Sequence, residues 1–187
     1  MVNDFKLLFD TIKDPRDLAE VLHLAIATGR EVDITGKSIR HDHKKVAGII
    51  GSWKPGFKEN PKIPGLRYAD DFFSRVSELK KQGYSVIGTT PNSGPSLFQT
   101  DLSRGKQAIV FGTEVGGLSK KKMAVLDGVV RVPMQGATRF YTLRTIVPVI
   151  VHELMRQKGM LGKPKKRLFP KFPSFRLKKK PSNRHIR

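Results

Sequence analysis

Two kinds of apolar pattern alternate along this chain. Short apolar runs predict strands at residues 5–9, 32–35, 84–89, 107–111 and 129–132. Apolar residues at helical spacing predict helices at residues 16–28, 41–50, 68–82, 118–126 and 142–158. Glycines after two of these helices, Gly29 and Gly83, are typical helix stops. A proline- and glycine-rich stretch at residues 51–66 indicates an exposed loop.

The alternation of strands and helices predicts the fold class, an α/β protein with a mostly parallel sheet covered by helices on both faces. In open sheets of this kind ligands bind beyond the carboxyl ends of the strands. Those ends are followed here by loops that begin near Thr89, Gly112 and Pro133. The pattern therefore predicts one shared ligand site formed by three loops.

Composition adds a prediction about partners. The chain has 187 residues and a formal net charge of +20, from 36 Lys and Arg against 16 Asp and Glu. A positive surplus of this size favours a polyanionic partner, since each phosphate contact releases condensed counterions. The absence of cysteine excludes disulfides and thiolate chemistry and fits a cytoplasmic location. We expect no signal peptide and no membrane partner, because the longest apolar run, near residues 146–151, is far too short to span a bilayer.

The last segment differs from the rest and divides the chain into residues 1–161, a globular domain, and residues 162–187, a basic tail. The tail holds eleven Lys and Arg and no acidic residue, with prolines and aromatic residues between them. Prolines at that density prevent a regular helix, so we predict a disordered arm that orders on RNA. The alternative is a solubilising tail. Candidate RNA-binding residues are Arg16, Arg144, Lys165, Lys166, Arg167, Lys178, Lys179 and Lys180, with Lys44, Lys45, Lys54, Lys58 and Lys62 as further phosphate contacts.

The most informative motif runs from Ile109 to Ser119. A buried strand leads into Gly112-Thr113-Glu114-Val115-Gly116-Gly117 and then into a helix. Glycine lets the backbone approach a ligand closely and adopt positive φ. No Gly-Lys-Ser or Gly-Lys-Thr follows, and the Gly-x-Gly-x-x-Gly spacing is absent, so neither a Walker phosphate loop nor a dinucleotide fingerprint is present.

A second motif, Val132-Pro133-Met134-Gln135-Gly136, precedes a helix that ends with Glu153, Arg156 and Gln157. Together the two motifs resemble the SpoU/TrmH branch of the SPOUT superfamily of RNA methyltransferases, of which this chain looks like a divergent member. The helix from Pro15 to Gly29 resembles the first motif of that family. The resemblance covers about residues 5–158 and is sharpest from Ile109 to Gln157.

The resemblance implies a sheet whose carboxyl-terminal part forms a trefoil knot, with S-adenosylmethionine held in the knot mostly by backbone groups. By position, the cofactor-binding residues are Thr89, Thr90, Gly112, Thr113, Glu114, Gly117, Val132, Met134 and Leu143. It also implies a homodimer that forms through the helix at residues 142–158. The substrate would be tRNA or rRNA, and the reaction would be methyl transfer to a ribose 2′-oxygen.

Three departures from the family pattern affect the chemistry. Asp17 stands where the family has Asn, His23 stands where it has Arg, and Phe140-Tyr141-Thr142 replaces a Ser-Leu-Asn turn. A ribose hydroxyl needs a base or electrostatic help to act as a nucleophile, and a neutral imidazole can accept its proton. We therefore take His23, Asp17, Arg139 and Thr142 as candidate catalytic residues, although His23 also suits a packed or capping role.

These departures leave two hypotheses about function. The first is an RNA methyltransferase that depends on S-adenosylmethionine. The second is an RNA-binding protein that keeps the fold and has lost or altered methyl transfer. We expect no metal site, because His41 and His43 are two residues apart, do not share a helix face, and have no further His or Cys nearby.

Overall fold

The structure, a computed structural model, describes residues 5–53, 63–113, 116–138 and 140–162. The strands in these ranges are β1 (Phe5–Asp10), β2 (Glu31–Thr35), β3 (Arg67–Ala69), β4 (Tyr84–Thr89), β5 (Lys106–Phe111) and β6 (Gly128–Val130). The helices are α1 (Pro15–Thr28), α2 (Lys44–Ser52), α3 (Phe72–Lys81), α4 (Lys120–Met123) and α5 (Leu143–Gln157), with a 3₁₀ turn at Leu97–Gln99.

The six strands form one sheet in the order β3-β2-β1-β5-β4-β6, and every pairing in it is parallel. The α/β class and the parallel sheet flanked by helices are therefore confirmed. Because β5, β4 and β6 are neighbours and run the same way, the loops after them meet at one edge. The fold thus brings together the three loops that the sequence analysis singled out.

Helices cover both faces of the sheet, and the strands alternate between two apolar cores. On one face Phe5, Leu7 and Phe9 of β1 pack with residues of α1 and α5. On the other face Leu8 of the same strand packs against α3. Burial of one large apolar side chain contributes about 1.5–3 kcal/mol, so the buried side chains of these strands stabilise the fold. The glycine-rich turn follows β5 directly in the chain, so its start is anchored by a buried central strand.

Helix α1 begins and ends at residues suited to those positions. The Asp14 side chain accepts hydrogen bonds from the backbone N–H groups of Arg16 and Asp17, and Pro15 occupies the first helical position. Gly29 ends the helix with φ +67, a left-handed conformation that glycine adopts without a steric penalty. Both ends of the helix that carries Asp17 and His23 are therefore well defined.

The prediction of a helix at residues 68–82 was wrong for its first residues. Residues 67–69 form the short edge strand β3, and α3 begins only at Phe72. The Asp71 side chain accepts a hydrogen bond from the backbone N–H of Ser74 and caps the helix there. This bond holds the pKa of Asp71 below its ordinary value. A helix start three residues after Ala69 leaves the backbone of β3 available to pair with β2.

Helix α5 packs against α1 and against the 3₁₀ turn, and polar contacts fasten its carboxyl end. Arg156 donates two hydrogen bonds of 2.7 Å to the Glu153 carboxylate, and Gln157 donates a third of 2.8 Å. The Arg156 bonds hold the pKa of Glu153 below its ordinary value, against the opposing effect of burial. The Gln157 amide oxygen accepts the backbone N–H of Leu102 at 2.7 Å. None of the described helices is long and apolar enough to cross a membrane.

Candidate functional site

A cavity of about 410 Å³ opens at the edge where the loops after β4, β5 and β6 meet. Eight of the nine residues predicted to bind the cofactor line it, namely Thr89, Thr90, Gly112, Thr113, Gly117, Val132, Met134 and Leu143. The ninth, Glu114, lies outside the described residues. The structure therefore brings these eight positions to one site, while their role toward a cofactor stays a prediction.

The turn after β5 forms a wall made of backbone. Thr113 and Gly117 exchange backbone hydrogen bonds of 3.1 and 2.9 Å, and the Thr113 hydroxyl accepts the backbone N–H of Gly116 at 3.2 Å. Gly117 has φ +60. A Cβ atom added to Gly112 would lie 2.2 Å from the carbonyl carbon of Gly117, a distance that no side chain tolerates. The sequence requires glycine here because the two backbone segments are in contact.

The loop after β4 is braced by its threonines. The Thr89 hydroxyl donates to the carbonyl oxygen of Val110 at 3.0 Å, and the Thr90 backbone N–H donates to Val130 at 3.0 Å. The Thr90 hydroxyl bonds to Ser93 within the same loop. These hydroxyls are used within the protein, so the cavity is bordered here mainly by backbone groups and by Asn92 and Ser93.

The third wall comes from the segment after β6 and from the first turns of α5. It is largely apolar and includes Val132, Met134, Leu143, Ile146 and Ile150. Phe140 and Tyr141 stand at the mouth and are 56% and 41% exposed. A pocket with one apolar wall and two backbone walls suits a ligand that combines a flat ring with polar groups.

A second cavity, of about 250 Å³, lies between α1 and α5. His23 and Arg144 line it, and Leu143 lines both cavities. His23 is exposed, and its ring lies 5.0 Å from the ring of Trp53, centroid to centroid. The candidate base therefore belongs to the second cavity and not to the wall of the first.

The other candidate catalytic residues take up different positions. Asp17 is 5% exposed, and its Oδ1 lies 2.7 Å from Nε of Arg144, an ion pair without the alignment of a hydrogen bond. Thr142 precedes α5, and its hydroxyl lies 3.1 Å from that of Thr145. Arg139 lies outside the described residues. The catalytic roles of His23, Asp17, Arg139 and Thr142 stay predictions.

The predicted RNA contacts divide into described and undescribed positions. Arg16 is exposed at the start of α1, and Lys44 and Lys45 are exposed at the start of α2. Lys165, Lys166, Arg167, Lys178, Lys179 and Lys180, together with Lys54, Lys58 and Lys62, lie outside the described residues. The predicted division at residue 162 likewise stays a prediction.

The His43 side chain and the His41 backbone make structural hydrogen bonds. His43 caps α2 by accepting the backbone N–H of Lys45 at Nδ1, and the His41 backbone N–H donates to the Tyr68 hydroxyl at 2.7 Å. Burial raises the pKa of Tyr68. Within the part of the chain that the structure describes, no three His, Asp or Glu side chains are grouped so that they could hold a metal ion.

Comparison with known proteins assigns the family. The profile of the SpoU rRNA Methylase family matches residues 4–145, so the chain belongs to that family. It is 25% identical over 163 residues to the tRNA (guanosine(18)-2′-O)-methyltransferase of Thermus thermophilus, a match that covers 85% of this chain and 78% of that protein. The protein of the same name from Borreliella burgdorferi is 32% identical over 80 residues, which cover 43% of this chain and only 37% of that protein.

Solved structures show the same fold. A protein studied for 2-OH methylation of C/U34 on tRNA superposes with a TM-score of 0.70 at 22% identity, over 82% of this chain and 90% of that one. The SpoU methyltransferase AviRb from Streptomyces viridochromogenes, in complex with AdoMet, superposes with a TM-score of 0.66 at 21% identity. That match covers 84% of this chain and 58% of AviRb.

The sequence analysis missed several parts of the site. It did not identify Phe111, Leu118, Met123, Ile146 and Ile150 as lining residues of the first cavity. The helical spacing of Leu143, Ile146 and Ile150 was a signal, because it marks one face of α5. The contact between Asp17 and Arg144 left no local signal, since the two residues lie on different helices.

Proposed function

We propose that this protein transfers a methyl group from S-adenosylmethionine to a ribose 2′-hydroxyl of tRNA or rRNA. The observation that carries the proposal is the 410 Å³ cavity, whose three walls hold eight predicted cofactor positions in a chain of the SpoU family. The Thermus and Borreliella relatives are named as tRNA 2′-O-methyltransferases, and AviRb holds AdoMet. A cytoplasmic location is part of the same proposal.

The residues present fit this cofactor. The volume lies within the range of pockets that hold small molecules, about 300–1,000 Å³. The apolar wall formed by Met134, Leu143 and Ile150 suits an adenine ring. The close backbone packing at Gly112 and Gly117 allows main-chain groups to approach the polar parts of a ligand. These residues, with Thr89 and Thr113, would hold the cofactor.

When bound, S-adenosylmethionine supplies an electrophilic methyl group. The task of the protein is then to hold the ribose hydroxyl in line and to exclude water, a positioning effect that can reduce a barrier by roughly 7–11 kcal/mol. Asp17, His23 and Thr142 are the described candidates for orienting or deprotonating the hydroxyl. The cavity that His23 lines adjoins the first at Leu143.

A trefoil knot and a homodimer belong to the same proposal. The knot is supported by the way the loop after β4 contacts later segments. The backbone of Leu97 donates to Arg131 at 2.8 Å, and the side chain of Gln157 accepts from Leu102. The dimer is supported by α5, on which Val149 is 38% exposed. Light scattering of the purified protein tests the dimer, and an experimental backbone trace tests the knot.

Calorimetric titration with S-adenosylmethionine tests the cofactor site, and transfer of labelled methyl groups to tRNA and rRNA preparations tests the activity. We expect micromolar or tighter binding and label at ribose 2′-oxygens. Deletion of residues 162–187 should weaken RNA binding and leave cofactor affinity unchanged. A folded protein that binds no S-adenosylmethionine would contradict the proposal.

The altered turn favours one second candidate, an RNA-binding protein without methyl transfer. Phe140 and Tyr141 present exposed rings at the cavity mouth where relatives of the branch have a polar turn. The variant His23→Ala separates the two functions. Loss of transfer at unchanged RNA affinity supports the methyltransferase, whereas wild-type protein that binds RNA and transfers no methyl group supports the second candidate.

A further inference from the structure

An exposed charged side chain that lines the second cavity follows closely in the chain after two exposed aromatic residues at the mouth of the first cavity. Phe140 and Tyr141 line this cavity and are 56% and 41% exposed. Large aromatic side chains usually bury most of their surface, so two exposed rings beside a cavity indicate a binding surface. Arg144 follows three residues after Tyr141, which keeps the two Cα atoms within about 11 Å of each other.

Arg144 is held in place by a carboxylate from another helix. Its Nε lies 2.7 Å from Oδ1 of Asp17, whose side chain is 6% exposed, while the Arg144 side chain is 45% exposed. Arg144 is the second residue of α5, where the helix dipole disfavours a cation. The Asp17 contact offsets that cost. A guanidinium has five N–H donors, and the exposed part of this one stays open to a ligand.

The surroundings select the charge of that ligand. The amino-terminal end of α5 is positive, Arg144 adds a cation, and the whole chain carries a net charge of +20. A second copy of the chain would bring the same positive charge to this place. A nucleic-acid strand would bring a phosphate for the cation and a base for the rings.

We propose that Phe140, Tyr141 and Arg144 form a subsite for the target nucleotide of the RNA, with Asp17 as the residue that positions Arg144. The aromatic rings stack on the base, as single-stranded bases stack on aromatic side chains elsewhere. The guanidinium binds the adjacent phosphate, a contact for which its planar donor set is suited. Because Leu143 lines both cavities, this places the ribose next to the first cavity. The inference rests on the proposed function.

Fluorescence anisotropy of the full chain with an unfractionated tRNA preparation, at several salt concentrations, tests the subsite. Arg144→Ala should weaken binding and lower the slope of log affinity against log salt by about 0.7–0.9, the value for one lost phosphate contact. Tyr141→Ala should weaken binding roughly tenfold with the slope unchanged, because stacking is uncharged. Tyr141→Phe keeps an aromatic ring and should therefore bind the tRNA preparation with wild-type affinity.

Arg67→Ala is the matched control. Arg67 is 50% exposed and pairs with Glu78 at 3.1 Å, on β3 at the far edge of the sheet. The Arg67→Ala variant should leave both the RNA affinity and its salt slope unchanged. Asp17→Asn keeps the Arg144 charge and loosens its position. We therefore expect a wild-type salt slope and, in the methyl-transfer assay, a kcat lowered more than KM.

The outcomes separate this inference from the proposed function. Wild-type affinity and slope in Arg144→Ala and Tyr141→Ala, with cofactor binding intact, would overturn the subsite alone. A shift in oligomeric mass in Tyr141→Ala at unchanged RNA affinity would assign the rings to a contact between copies and also overturn it. Wild-type protein that binds neither S-adenosylmethionine nor tRNA would overturn both. Circular dichroism melts verify that each variant is folded.

Discussion

The two cavities that meet at Leu143 are built in different ways. Two walls of the first are made of backbone, because Thr89 and Thr90 bond to the carbonyl oxygens of Val110 and Val130, and Thr113 and Gly117 exchange backbone hydrogen bonds. The second is bordered by side chains of α1 and α5, including His23 and Arg144, and Arg144 forms an ion pair with Asp17. The shape of a wall made of backbone depends on a few glycines and on strand order. The shape and charge of a wall made of side chains change when those side chains are substituted.

The largest effect is expected at the backbone wall, from Gly112→Ala. The new Cβ atom would lie 2.2 Å from the backbone of Gly117, so the turn must shift. We expect a loss of about 3 kcal/mol in the free energy of unfolding. Calorimetry should detect no cofactor binding. Gly136→Ala is the control, since nothing lies within 4 Å of its added Cβ, and it should behave as wild type.

Leu143→Ala should act on both cavities. The side chain is 7% exposed, and its removal should lower the free energy of unfolding by about 2–4 kcal/mol. Affinity for cofactor and for RNA should both fall. Leu154→Ala on the same helix is fully buried but outside both cavities, so it should lose similar stability and keep both affinities. Equal affinity losses in the two variants would show that Leu143 has no special role.

A smaller effect is expected from Thr113→Val, which removes the hydroxyl that braces the glycine turn. The lost bond to the N–H of Gly116 should cost about 1 kcal/mol, with a several-fold weaker cofactor affinity. Thr28→Val removes a similar bond, to the carbonyl oxygen of Leu24, at the far end of α1. If Thr28→Val weakened cofactor binding as much as Thr113→Val does, the effect of Thr113→Val could not be assigned to its hydrogen bond in the glycine turn.

The smallest effect is expected at the other end of α5, from Glu153→Gln. Because the folded pKa of Glu153 lies below its ordinary value of 4.5, its contribution is present above that pH and is lost as the pH falls through the folded pKa. The variant should be less stable by about 1 kcal/mol at neutral pH. In urea unfolding the stability difference should shrink as the pH falls below 4.5 and through the folded pKa, and ligand affinity should not change. A stability difference that persisted at low pH would contradict this assignment.

The sequence predicted the sheet better than the substrate side of the site. Buried strands such as β5 contain continuous apolar residues, and Gly112 and Gly117 show where the backbone turns closely. The edge strand β3 was missed because it has only three residues, one exposed and two partly buried, which carry no clear pattern. The turn at Leu97–Gln99 was missed because it is ordered by a backbone bond to Arg131, distant in sequence.

The contact between Asp17 and Arg144 shows the same limit at the site. The sequence analysis treated Asp17 as a departure from the family motif and Arg144 as an RNA contact without linking them, because pairing between α1 and α5 is a property of the packed fold. The loops at the strand ends could be grouped in advance, since parallel strands deliver their carboxyl ends to one edge. No comparable rule predicts which side chains of two helices face each other.

The shared wall at Leu143 has a thermodynamic consequence. If a ligand in one cavity shifts this side chain toward the arrangement that the other cavity prefers, the two binding equilibria are linked. Linkage is reciprocal, so any factor by which the cofactor raises RNA affinity must equal the factor by which RNA raises cofactor affinity. This one leucine would then make the complex of protein, cofactor and RNA more stable than expected from the two separate binding equilibria.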